Sequence, residues 1–285
     1  MYAITGITGK VGGAVARSLL AAGLPVRAVL RDAAKAAPWK AAGCEIAIAD
    51  MDDAQALTQA FAGTQAVFVL LPPTFDPSPD FAESRAVITA LDTALRVAQP
   101  QRVVCLSTVG AQATERNLLT QLSNMERTLG ELPMPITFLR AAWFMENSVW
   151  DIPGARSDGR IDSMLQPTSR RIPMVATRDV GTTAAQLLQQ TWQGKRVVEL
   201  EGPQTVSPDD IAATLGRLIG REVTARAVPR DSWEARLHAQ SMLNPTPRMR
   251  MVDGFNEGWI SFEHSTVKGR IGLETVLQEL LQQQV

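Results

Sequence analysis

The residues Thr5-Gly6-Ile7-Thr8-Gly9-Lys10-Val11-Gly12-Gly13 carry the clearest chemistry in this chain of 285 residues. Glycines at positions 6, 9 and 12 suit a backbone turn that receives a pyrophosphate. Gly6 permits the tight turn off a strand, Gly9 lets backbone N–H groups approach the phosphates, and Gly12 lets the next helix pack closely. Thr8, Lys10 and Val11 complete the turn, and the positive end of the helix dipole adds to the anion site. Three glycines without context are a weak signal. Here they follow the short apolar strand Met1-Tyr2-Ala3-Ile4 and open an apolar-periodic run through Val15, Leu19 and Leu20 to Gly23. The sequence therefore predicts strand, glycine turn, helix, with a nucleotide at the turn.

The next strand, Val26-Arg27-Ala28-Val29-Leu30, bears on which dinucleotide this is. An acidic residue at its end would grip a ribose 2′-hydroxyl; the residue there is Arg31. A guanidinium suits a 2′-phosphate, with Lys35 and Lys10 as further point charges, so the sequence points to NADP(H). Asp32, twenty residues past Gly12, competes for the position, and a solvated surface arginine is the plain alternative for Arg31. The alternation Val26-Ala28-Leu30 makes Arg31 the first residue beyond the strand. Further along, Asp50-Met51 would flank the adenine, Leu71-Pro72-Pro73 the adenine ribose and pyrophosphate, and Ser107-Thr108 the nicotinamide half. Ordinary strand-end residues would look the same.

The elements that hold these residues follow from periodicity. A helix over 33–42 leads to the strand Glu45-Ile46-Ala47-Ile48-Ala49, and Asp52 can cap a helix over 54–60 that Gly63 closes. Ala66-Val67-Phe68-Val69-Leu70-Leu71 is apolar throughout, as in a parallel strand buried on both faces. It stops at Pro72-Pro73, and the proline-rich loop 74–79 precedes a long helix over 81–98. A strand over 103–106, a helix over 117–129 and a strand over 136–140 follow. Repeated βα units with short connections predict an α/β, Rossmann-type doubly wound parallel sheet over residues 1–147. Residues 148–285 read as a smaller, discontinuous C-terminal α/β lobe that shares part of the sheet. In it, 151–168 is a loop region. Strand–helix pairs follow at 172–175 with 179–190 and at 197–200 with 207–218, the latter helix started by Ser207-Pro208-Asp209-Asp210. A strand over 223–228 and a helix over 232–241 come next, then an irregular stretch through Pro245 and Pro247, and a last helix over 273–281. The cleft between the two parts, at the carboxyl ends of the strands, is where a substrate would lie.

Composition excludes several functions. The chain is 45% hydrophobic and 20% charged with a net charge of −1, which gives no basic field for nucleic acid. No apolar run approaches a bilayer span, and the N-terminus reads as a core strand instead of a signal sequence, so the expected location is the cytoplasm. With two histidines, His238 and His264, read as surface or packing residues, no metal site is expected. Cys44 and Cys105 fall about four strand spacings of ~4.8 Å apart, beyond the ~7 Å limit for a disulfide, and are read as free thiols.

The glycine turn, the segment Val26-Arg27-Ala28-Val29-Leu30-Arg31-Asp32 with Lys35, Ala49-Asp50 and above all Leu139-Arg140-Ala141-Ala142-Trp143-Phe144-Met145-Glu146-Asn147 resemble the NmrA-like branch of the atypical short-chain dehydrogenase/reductase superfamily. The resemblance covers essentially the whole chain. Ala141 departs from it, since the family usually has proline there. It implies an NADP(H) site and one of two activities: reduction of quinones or triphenylmethane dyes by NADPH, or redox sensing without turnover.

A standard short-chain dehydrogenase uses a tyrosine and a lysine four residues later as its acid/base pair. This chain has one tyrosine, Tyr2, and no lysine between Lys40 and Lys195. Alignment to the family places Leu122 and Glu126 at the two positions. Simple carbonyl reduction and sugar epimerisation are thereby disfavoured, and no catalytic residue is assigned. The polar groups near the cleft are Ser107, Thr108, Asn124, Glu126, Glu146 and Asn147. Glu126 is read either as a pocket residue or as the partner of a nearby arginine, and Glu146-Asn147 as holding the turn between the two parts. Phe75, Phe81, Trp143, Phe144 and Trp150 could wall a pocket for an aromatic acceptor or pack the core. The partner implied is a small conjugated acceptor, and a homodimer is left open.

Overall fold

The computed structural model describes residues 1–283. In chain order its elements are β1 (Tyr2–Ile4), α1 (Lys10–Ala21), β2 (Val26–Leu30), α2 (Ala37–Ala41), β3 (Glu45–Ile48), α3 (Ala54–Phe61), β4 (Ala66–Val69), α4 (Ala82–Ala98), β5 (Arg102–Thr108), α5 (Thr120–Leu129), β6 (Ile136–Ala141) and β7 (Trp143–Phe144). They continue with α6 (Ile152–Asp158), β8 (Arg160–Ser163), β9 (Ile172–Val175), α7 (Thr177–Gln189), β10 (Lys195–Glu201), β11 (Thr205–Val206), α8 (Pro208–Ile219), β12 (Thr224–Ala227), α9 (Trp233–Ala239), α10 (Thr246–Glu257), β13 (Val267–Lys268) and α11 (Leu273–Gln283).

Eight strands form one sheet in the order β3-β2-β1-β4-β5-β6-β10-β13, and every pairing in it is parallel. The chain starts in the middle, with Tyr2 level with both Val26 and Ala66, and winds outward in two directions. That reversal opens a crevice at the carboxyl ends of β1 and β4. The residues of β4 are buried on both faces, as its unbroken apolar sequence requires. One face is covered by α1 and α7 over Val11, Val15 and Leu19, the other by α3, α4 and α5 over Leu57, Phe61, Leu91 and Met125. A third core gathers Ile152, Ile161, Ile211, Leu215, Trp233 and Phe255 in the C-terminal lobe. Small sheets β11-β9-β7 and β12-β8 brace that lobe.

Two helices, α1 and α7, lie side by side with an unusually close contact. A Cβ at Gly181 would stand 2.4 Å from the Cβ of Ala14 and 2.9 Å from the backbone of Val15. Only glycine allows this approach. It sets Gly181, four residues into α7, level with Ala14, four residues into α1, so the two helices begin together at the carboxyl edge.

The structure differs from the sequence expectations in four places. Residues 151–168, read as loop, contain α6 and β8. The Ile152-Pro153-Gly154 start looked like a breaker, but Pro153 sits in the first turn, where its missing N–H is harmless, and Gly154 lets Arg160 O approach to 2.6 Å of a Cβ position. The stretch after Pro245 is α10, again with a proline, Pro247, in its first turn. The cap of α3 is Asp53 and not Asp52, because the Asp53 carboxylate takes the amides of Gln55 and Ala56 at 3.0 and 2.9 Å. The helix expected over 33–42 is a 3₁₀ turn at Ala33–Lys35 followed by the short α2. Among the described residues no helix is long and apolar enough to cross a membrane. Both cysteines are free and buried, and burial raises the pKa of each thiol.

Candidate cofactor and acceptor site

The turn between β1 and α1 is made by backbone alone. Gly6 adopts φ +58°, and a Cβ on it would come within 2.9 Å of the Leu70 side chain. At Gly12 a Cβ would lie 2.3 Å from Gly6 O and 2.8 Å from Thr5 O, so the helix can sit this close to the strand only with glycine there. Gly9 is different. A Cβ there meets only Gly6 O, at 3.3 Å, and otherwise faces open space. Gly9 N donates to Gly6 O at 2.9 Å, and Thr5 fixes the strand end by donating its N–H and hydroxyl to Phe68 O, each at 3.1 Å. No side chain caps α1 and no acid lies in its first turn, whereas α3 is capped by Asp53 and α8 by Ser207 with Asp210. An uncapped start leaves first-turn amides and the positive end of the dipole for an outside anion. Thr8 and Lys10 are exposed at its rim, and Val11 and Gly12 are buried beneath it.

The other cofactor candidates stand at the carboxyl ends of the adjoining strands. Arg31 follows β2, is exposed, and makes no ion pair among the described residues. Its competitor Asp32 is engaged locally, taking the Ala34 amide at 2.9 Å to start the 3₁₀ turn that ends in exposed Lys35. Asp50 holds the Met51 amide at 2.8 Å just past β3. Leu71, Pro72 and Pro73 leave β4, while Ser107 and Thr108 end β5, with Ser107 only 4% exposed.

Beyond Ser107 the edge is closed by charge. Ser107 Oγ donates to Glu126 Oε1 at 2.5 Å, and Arg140 holds the same carboxylate with two donors, Nε at 3.0 Å and Nη2 at 2.8 Å. Arg140 Nη1 also reaches Glu263 at 2.5 Å, Gln112 at 3.2 Å and Glu199 at 3.5 Å. Burial acts to lower the Arg140 pKa, but the hydrogen bonds and charges of Glu126 and Glu263 outweigh it and leave the guanidinium above its ordinary value. Glu199 is 2% exposed and accepts the amides of Glu263 and His264. A strap over 259–264 is thereby tied across the ends of β5, β6 and β10, with Ile260 against Gly110 and Ser261 O taking Gln112 Nε2 at 2.7 Å. Glu126 is thus the partner of Arg140 and Ser107, its two carboxylate oxygens taken up by their N–H and O–H donors. Sequence reasoning missed Glu199 and Glu263. The signal for Glu199 was an acid inside the apolar strand Val197-Val198-Glu199-Leu200; Glu263, in irregular chain, gave none.

The structure disperses the aromatic candidates. Phe81 is 3% exposed and packs in front of α4 under the Arg116 guanidinium, 5.0 Å from its ring centroid, so it belongs to the core and not to a pocket wall. Trp143 meets Phe255 edge to face at 5.2 Å, and Phe144 packs against the core around α1. Phe75 and Trp150 are 60% and 83% exposed. Glu146 Oε1 holds the start of α7 by accepting the Thr177 amide at 2.8 Å and its hydroxyl at 2.5 Å, tying the two parts of the chain as expected of that segment.

The chain is 30% identical over 229 residues to the NAD(P)H azoreductase of Xenophilus azovorans, covering 80% of this chain and 77% of that protein. It is 28% identical over 290 residues to quinone oxidoreductase 2 of Escherichia coli, covering 96% and 95%. The solved structure of the Escherichia coli NADPH-dependent quinone oxidoreductase QOR2 with NADPH superposes over 99% of this chain and 100% of its own with a TM-score of 0.84 at 23% identity. The sequence model of the NmrA-like family matches residues 2–254, and the chain belongs to that family.

Proposed function

We propose that this chain is an NADPH-dependent oxidoreductase that passes hydride to a quinone-like or other conjugated acceptor without a tyrosine–lysine pair. The carboxyl edge carries the reading: an uncapped α1 and Arg31, unpaired among the described residues, toward one side, and Ser107 bound to Glu126 on the other, in a chain whose one tyrosine is Tyr2 and which has no lysine between Lys40 and Lys195. The cradle fits a pyrophosphate, since Gly9 leaves open space where a side chain would stand. In the proposal Gly6, Thr8, Gly9, Lys10, Val11 and Gly12 hold the pyrophosphate. Arg31 and Lys35 pair with the 2′-phosphate, Asp50 and Met51 flank the adenine, Leu71, Pro72 and Pro73 line the ribose, and Ser107 and Thr108 face the nicotinamide. Residues 1–147 form the nucleotide domain and 148–285 the lobe that completes the acceptor side, within a cytoplasmic protein. Bound NADPH would supply a hydride. The chain's own residues position it, and because a quinone's product anion is delocalised, solvent can protonate it without a dedicated acid.

Steady-state NADPH oxidation with quinones and dyes, run beside a simple ketone, tests the proposal. Turnover is expected on the conjugated acceptors. The ketone should be slower by at least the ~10²–10⁴-fold that a positioned proton donor contributes. Robust ketone reduction would reveal an acid elsewhere. A second reading, an NADP(H)-binding regulator without turnover, is favoured by the strap and charge cluster that close the edge beside Ser107. Tight NADPH binding with no turnover on any acceptor would select it.

A further inference from the structure

Only half of the Glu146 carboxylate is used by the chain. Oε1 accepts the Thr177 amide at 2.8 Å and the Thr177 hydroxyl at 2.5 Å, at the start of α7. Oε2 is buried and, among the described residues, receives no hydrogen bond. A buried carboxylate oxygen without a donor costs stability, so holding α7 accounts for one oxygen and leaves the other without a reason.

The fold fixes where that oxygen stands. The contact of Gly181 with Ala14 puts Thr177, four residues before Gly181, level with Lys10, four before Ala14. Glu146 is therefore at the carboxyl edge, at the height of the glycine turn. Helices packed this closely have axes about 8 Å apart, so the Glu146 carboxylate lies roughly one helix diameter from the start of α1. Its side is also defined: α1 packs on β1 and β2, and α7 on β4, β5 and β6, away from Arg31. A dinucleotide with its 2′-phosphate at Arg31 and its pyrophosphate at the glycine turn runs in that direction, and brings its nicotinamide over β4 and β5 toward the start of α7.

The oxidised nicotinamide ring carries a positive charge and the reduced ring carries none. A carboxylate oxygen that no donor of the chain engages attracts the first and is indifferent to the second. The cluster at the end of β6, three carboxylates around Arg140, acts in the same sense. Lys10, the cation at the start of α1, is exposed to water, which screens it.

We propose that the free oxygen of Glu146 faces the nicotinamide and makes this site hold NADP⁺ more tightly than NADPH. The inference rests on the NADP(H) reading of the carboxyl edge and not on turnover. In a reductase the preference favours departure of the hydride; in a regulator it makes occupancy follow the ratio of the two cofactors. The test is calorimetric titration of the parent chain and of Glu146→Gln with NADP⁺ and with NADPH at one ionic strength. Glutamine keeps a carbonyl oxygen for the Thr177 donors and removes only the charge. The Kd for NADP⁺ should rise about tenfold in Glu146→Gln while that for NADPH stays within about twofold, the difference expected of one partly screened unit charge. A purely structural role would move both constants alike, and that result, or an unchanged ratio, overturns the proposal. Should Glu146→Gln fail to fold, the parent decides: tighter binding of NADP⁺ supports the proposal, and equal binding or tighter binding of NADPH overturns it. A parent that binds neither cofactor removes the nucleotide reading and this proposal with it, whereas binding of both without preference removes this proposal alone.

Discussion

Two regions of the carboxyl edge meet opposite demands with opposite materials. At the start of α1 the proposed anion site is built from backbone: glycines at 6, 9 and 12, an uncapped helix and no acid in its first turn. At the end of β6, Arg140 is surrounded by the side chains of Glu126, Glu199 and Glu263. The first leaves its hydrogen-bonding capacity for something that comes and goes. The second consumes its own capacity internally, so it fixes chain segments and has little to offer a ligand. Polar residues beside a cleft are therefore not alike, and asking which donors and acceptors are already satisfied separates binding from bracing.

That contrast can be broken most forcefully at the glycines. Gly12→Val should yield no folded protein, because its side chain must enter space held by Gly6 and Thr5 carbonyls. Gly9→Val should fold with little change in melting temperature and lose NADPH binding, measured by calorimetric titration. If Gly9→Val bound NADPH normally, the open space at that glycine would have no ligand to serve.

Next in size is the charge cluster. Arg140→Met removes the one cation from three carboxylates and should lower stability by about 3–5 kcal/mol in denaturant unfolding, the range for breaking a buried pair. Arg140→Lys should recover little, since an ammonium cannot span the Glu126 carboxylate and Glu263 together as the guanidinium fork does. A stable Arg140→Met protein that had lost its NADPH affinity would instead make the cluster part of the binding site.

The smallest change sharpens the comparison from the binding side. Arg31 is exposed and unpaired among the described residues, so Arg31→Asp should leave the melting temperature within about 1 °C, in line with surface substitutions generally. It should erase or reverse the preference for NADPH over NADH, a loss of roughly 1.5–3 kcal/mol or about tenfold to a hundredfold in Kd. Equal affinities of the parent chain for the two cofactors would remove the role given to Arg31.

What the sequence made legible follows the same division. The glycine turn and the parallel strands around it came from local periodicity and spacing, because a parallel sheet imprints continuous apolar runs such as Ala66–Val69. The helices α6 and α10 were hidden by prolines at 153 and 247, which break a helix in its interior and suit its first turn; only the neighbouring structure decides between the two. The partners of Arg140 lie 14, 59 and 123 residues away, and no pattern along the chain announces pairings over such distances. Phe81 stayed open for a simpler reason: an aromatic beside a proline-rich loop can face outward like Phe75 or inward, and sequence does not say which.

The contact of Gly181 with Ala14 also limits how this chain can be taken apart. The helix that follows the glycine turn is seated on a helix encoded more than a hundred residues later, after β7, β8 and β9. A gene fragment ending at residue 147 would strip α7 and β10 away and leave Val11, Val15 and β6 facing water, an insoluble product in place of a minimal nucleotide binder. Chimeras between relatives should accordingly exchange α1 and α7 as a matched pair.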